Sequence, residues 1–152
     1  MHPGAREAVT LVVLLTGGCG PAGVMSTPTL SAAEAQREIA LGEEFVLGVG
    51  QTAALGGGSG VRLTFEAVRE DSRCPIGDSC IWAGDAVVAI TVDDAGGDTK
   101  TIELHTNARF DVEAAIDGHA VRLLELSPIP RRGSTIPIDR YEATLVVTPR
   151  AP

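Results

Sequence analysis

The chain has 152 residues, 12 basic and 20 acidic side chains, and a formal net charge of -8. It therefore holds one domain's worth of core, and its charge argues against a nucleic-acid footprint and against electrostatic docking on anionic lipid. Eleven of the cations are arginine, with Lys100 the single lysine, and the aromatic residues are three Phe, one Tyr and one Trp, a poor stock for a base-stacking or sugar-stacking surface.

At the N-terminus, Arg6 precedes the apolar run at 8–15, and small residues continue to Cys19, the pattern of an export signal. The run is too short for a bilayer-crossing helix, which needs roughly 20 apolar residues. Leu15-Thr16-Gly17-Gly18-Cys19 resembles the lipobox of bacterial lipoproteins, with Thr16 standing where that pattern has leucine. The resemblance implies cleavage before Cys19 and lipidation of its thiol, so that the membrane is a partner through an N-terminal lipid; plain secretion and no export at all are the alternatives. On this reading residues 1–18 are a signal peptide, 19–43 a tether and 44–149 a single β domain in the cell envelope or outside the cell. Residues 20–43 carry too few large apolar side chains to build a core. Within them, Ser31 as cap and Glu34 three residues on favour a short helical turn over 31–38.

From Phe45 onward the apolar period is two. Val61, Leu63, Phe65 and Ala67 alternate with polar neighbours, as do Tyr141, Ala143, Leu145 and Val147, which predicts half-buried strands. The run 86–92 is apolar almost throughout and suits a strand in the middle of a sheet. The turn cluster at 93–98 then joins it to a partner strand with Ile102 and Leu104 on one side. A second hairpin centres on Asp117-Gly118, the dipeptide a two-residue type I′ turn favours. Counting outward pairs Ile116 with His119, Ala114 with Val121, Glu113 with Arg122 and Val112 with Leu123, and extends the first strand back to Phe110. A short helix over 111–116 capped by Gly118 is the competing reading. Pro128-Ile129-Pro130 opens an extended crossing to the last strand. The fold class predicted is all-β: an antiparallel sandwich or small barrel of seven to eight short strands.

Residues 71–84 (DSRCPIGDSCIWAG) gather both remaining cysteines and the only tryptophan. Five residues containing Pro75, Gly77 and Asp78 separate Cys74 from Cys80, a spacing that lets the chain turn back for a disulfide in an oxidising compartment. Closing so short a ring contributes about 2 kcal/mol in the chain-entropy account. Trp82 is expected to lie buried against the sulfurs, Asp71 to close an Asx-type turn, and Arg73 to be solvated or paired. Together these three mark the loop as a binding or structural element.

This stretch resembles a family of uncharacterised bacterial lipoproteins and secreted proteins carrying a DSRCP-x4-C-x-WAG motif, with Gly50-Gln51-Thr52-Ala53 before it and the Pro128-Ile129-Pro130 crossing after it. The resemblance spans about residues 45–148 and implies location and fold; it brings no activity.

Catalytic chemistry is poorly provisioned. The cysteine spacing is not the Cys-X-X-Cys of a thiol oxidoreductase, no G-x-S-x-G elbow is present, and the acidic pairs such as Asp93/Asp94 lack the spacing of a calcium loop. His105 and His119 are the weak metal-ligand candidates, each expected on a solvated face. The sequence thus favours a monomeric, non-enzymatic binding or envelope-structural module without cofactor. The alternative is an extracytoplasmic metal-binding protein using histidine, carboxylate and, if reduced, cysteine.

Overall fold

The computed structural model describes residues 37–150, so the signal segment, Cys19 and most of the tether lie outside the described residues. Nine strands form two sheets: β1 Arg37–Ile39, β2 Glu44–Gly48, β3 Thr52–Leu55, β4 Arg62–Asp71, β5 Ala86–Asp93, β6 Thr99–His105, β7 Glu113–Ile116, β8 His119–Ser127 and β9 Glu142–Pro149. One sheet runs β1-β3-β4-β5-β6 and the other β2-β9-β8-β7, an all-β sandwich rather than a closed barrel. All pairings are antiparallel except β1 with β3.

The alternating residues meet between the sheets. Leu63, Phe65, Val88, Ile90 and Leu104 of the first sheet and Leu47, Val121, Leu145 and Val147 of the second are almost fully buried, each such side chain worth about 1.5–3 kcal/mol by removal from water. The apolar run of β5 lies between β4 and β6, and even Ala89 on its second face is buried. Asp117 (φ 32°) and Gly118 (φ 72°) hold the tight turn between β7 and β8, and Glu113 pairs with Arg122, Ala114 with Val121 and Ile116 with His119, the register counted from the sequence.

Three expectations change. Arg37–Ile39, placed in the tether and partly in a helical turn, is a strand: it pairs with Ala53–Leu55 and buries Ile39, because an apolar Ile39 reaches the core once β3 offers an edge. The ordered domain therefore includes residues before 44. Phe110 belongs to no strand and is exposed; the chain turns at 106–110, where Phe110 N–H donates to Asn107 O, and β7 starts only at Glu113. Simple alternation in β4 ends at Phe65, since register shifts between Phe65 and Ala67 and again between Val68 and Glu70 mark bulges. Bulges bend and twist a strand, and they carry the far end of β4 into the cystine loop.

Candidate functional site

Three connections converge at one end of the sandwich: the cystine loop between β4 and β5, the 106–112 turn after β6, and the 128–141 crossing before β9. Their braces are polar and local. Cys74 and Cys80 are joined, with Cα atoms 6.0 Å apart. The loop's stem closes like a ladder, Ser72 N–H donating to Asp85 O (2.7 Å) and Cys74 N–H to Ala83 O (2.9 Å). Its far side docks on the crossing, where Ile76 N–H donates to Pro130 O (2.8 Å), and Arg132 forms an ion pair with Asp78.

Beneath the loop, Asp71 and Arg73 form a strut between the sheets. Arg73 donates from its backbone N–H (3.2 Å) and Nε (2.8 Å) to Asp71 Oδ1 and from Nη2 to Oδ2 (2.7 Å), and both side chains are nearly excluded from water. The guanidinium also donates to the carbonyls of Leu126 and Pro128, at the end of β8. Tyr141 Oη donates to Asp71 Oδ2 at 3.0 Å. Burial alone would raise the Asp71 pKa, but the hydrogen bonds and charge of Arg73, helped by Tyr141, hold it below the ordinary carboxylate value. The same burial and the Asp71 carboxylate push the Tyr141 phenol up. The Asx-type turn expected of Asp71 is present, and Arg73 is paired, with backbone carbonyls as additional acceptors.

A second carboxylate does similar work next door. Asp85 Oδ1 accepts from Asn107 N–H (2.9 Å) and Thr106 Oγ1 (3.1 Å), while Oδ2 lies 2.6 Å from His105 Nδ1. His105 in turn packs against Phe110, ring centroids 5.1 Å apart. Burial would raise the Asp85 pKa; the hydrogen bonds from His105, Asn107 and Thr106 outweigh it and leave the carboxyl lowered. His105 is therefore not the solvated residue the strand alternation suggested. It is held because Asp85, just before β5, stands beside the end of β6. Asp85→Ala is expected to lower stability by about 2–3 kcal/mol, since it strands the Asn107 and Thr106 donors; urea denaturation checks this, with His105→Ala losing less.

His119 stands elsewhere, in the other sheet, with its Nδ1 2.7 Å from Asp117 O. The two histidines are not brought together, and among the described residues no group of three or more His, Cys, Asp or Glu is placed to hold a metal ion. The bonded sulfurs offer no thiolate.

Trp82 departs most from expectation. It is 47% exposed, and its neighbour Ile81 is fully exposed, because the stem ladder closes at Ala83 and leaves residues 81–82 outside it. Ile76, Phe110, Ile129 and Ile138 are also exposed on the same three connections, so six of the nine exposed large apolar residues in the described chain belong to this end. Shallow hollows indent it, among them one of about 420 Å³ touching Cys74, Gly84, Asn107 and Ile129, and another of about 390 Å³ along the crossing, touching Ile129, Arg131, Ile136 and Arg140. Such a surface can grip an apolar partner.

The sequence reading missed Asp85 and Tyr141. The β5–β6 register was the available signal for Asp85: Val87 opposite His105 puts Asp85 beside residues 105–107. Nothing local announces Tyr141 as a partner of Asp71, 70 residues away. No protein-family model, no curated protein and no solved structure matches the chain.

Proposed function

We propose that the chain is a monomeric, non-enzymatic binding module of the cell envelope, tethered through a lipid on Cys19, that presents the cystine-loop end as its recognition surface. The observation that carries this reading is the pairing of exposure with rigidity: Ile81 and Trp82 stand in solvent on a loop closed by a disulfide, a backbone ladder and the Asp71–Arg73 strut. Exposed apolar anchors on a pre-ordered frame lose little entropy on binding.

A photo-crosslinking residue at position 81 of the exported chain is expected to give adducts that the same residue at Thr101, on an exposed strand face, does not. Equal labelling at both positions overturns the assignment. The same material is expected to carry an acylated N-terminal Cys19 and no free thiol at Cys74 or Cys80. A stoichiometric metal lost on Cys74→Ser would replace this reading with metal binding.

A further inference from the structure

We propose that the cystine-loop end is a membrane-contact surface, with Ile81 and Trp82 dipping into the interface of an electrically neutral bilayer. The proposal rests on the envelope reading above and names the partner of its recognition surface.

The crown of the loop has the right chemistry. Ile81 is fully exposed and Trp82 nearly half exposed, side by side beyond the Cys74–Ala83 ladder. Tryptophan favours the membrane–water boundary, where its ring is sheltered and its N–H stays hydrated. Two adjacent exposed side chains on the crown are enough for a deformable lipid phase, whereas a protein partner would have to engage the surrounding apolar residues and hollows as well to reach about 800 Å² of complementary surface per side.

Charge singles out the same end. Residues 71–85, 105–112 and 127–141 contain five acids (Asp71, Asp78, Asp85, Asp111, Asp139) and five arginines; with Glu142, which lines the hollow on the crossing, six acids face five arginines, so this end is close to neutral in a chain whose net charge is -8. Two of those acids are matched directly, Asp71 by Arg73 and Asp78 by Arg132. Most of the negative excess therefore lies elsewhere, and the cost of dehydrating those carboxylates would keep the other faces off a lipid surface.

Reach is also sufficient. Arg37 pairs with Ala53, which pairs with Leu63, and β1 runs away from the Asp71 end of β4; Arg37 is thus the end of β1 nearer the loop. Leu63 to Asp71 spans at most about 27 Å of strand. Cys19 precedes Arg37 by 18 positions, a chain of up to about 60 Å. A lipid on Cys19 and the loop crown can occupy one membrane face together.

Trp82 is the only tryptophan in the chain and reports on itself. Full-length protein extracted from membranes is reconstituted in phosphatidylcholine vesicles with plain or brominated acyl chains. The expected result is blue-shifted emission that brominated chains reduce about twofold or more, unchanged in about 1 M salt because the contact is apolar. Ile81→Glu, with an unaltered melting curve, is expected to restore the emission. Equal emission in both vesicle types overturns the proposal. A blue shift without quenching by bromine also overturns it, in favour of a protein covering Trp82. Mass spectrometry of the same sample separates the anchor from the crown. If Cys19 carries no acyl group, the tether reading fails, and the chain is then added to vesicles from solution: quenching there supports the crown contact by itself, and its absence overturns it.

Discussion

Gly84→Ala is expected to cost about 3–5 kcal/mol, a large share of the 5–15 kcal/mol that holds an ordinary domain together. Gly84 has φ +77°, where an alanine is strained by about 1–2 kcal/mol. A Cβ there would also lie 2.7 Å from Arg73 Cα and closer still to the Ser72 carbonyl oxygen. Both obstacles are backbone, so relief requires parting the two sides of the loop stem and weakening the Ser72–Asp85 and Cys74–Ala83 hydrogen bonds. Gly77→Ala separates the two contributions. It shares a positive φ (+95°) but its Cβ would meet only Arg132 Cβ at 4.0 Å, and it is expected to lose only about 1–2 kcal/mol. Chemical denaturation of both variants checks the difference; equal losses would mean that the stem is looser than its geometry indicates.

Arg73→Ala is expected to destabilise by a similar 3–5 kcal/mol, because it leaves a buried carboxylate without its counter-charge and two carbonyls without their donor. Arg73→Lys should recover little, since an ammonium cannot reproduce the paired Nε and Nη2 contacts to Asp71 and also reach Leu126 and Pro128. The loss should depend on pH with a definite sign. In the wild type the Asp71 carboxyl is lowered, so its contribution is complete above the unfolded value near 4 and fades as pH falls through the folded value. Asp85, also lowered, adds to the same acid sensitivity. Without Arg73, burial favours the protonated acid and raises its folded value above the unfolded one, so the gap between variant and wild type is expected to begin narrowing above about pH 4 and to go on narrowing as the wild type is acidified through its own lowered value. Thermal melts between neutral and acid pH test this; a constant gap would assign the strut's worth to packing.

The strands were legible where one face of a pleat had to be buried and a turn fixed the count. Asp117-Gly118 set the β7–β8 register to the residue, and the apolar run of β5 announced a central strand. Alternation stopped serving where bulges intervene, as after Phe65 in β4. The candidate site was legible only in part. Cys74 and Cys80 advertised their bond by spacing, and Asp71 its Asx-type turn, whereas Arg73 was read only as solvated or paired, with no partner named. Trp82 was misread because its exposure depends on where the stem ladder closes, and that is decided by the approach of β5 to β4. The acceptors of Arg73 are backbone atoms 53 and 55 positions away, and a carbonyl carries no residue type to read.

The entry of the chain into the sandwich has a mechanical corollary. β1 is three residues long, pairs along one side with β3 alone, and is the first described strand after Cys19. In a molecule moored by its N-terminus, drag from outside would be transmitted through those few bonds first. Peeling β1 would uncover Ile39 and the margin of β3 while the cystine loop, fastened to both sheets by Arg73, kept its shape. The strand would thus yield as a fuse, sparing the surface on which the proposed contact depends.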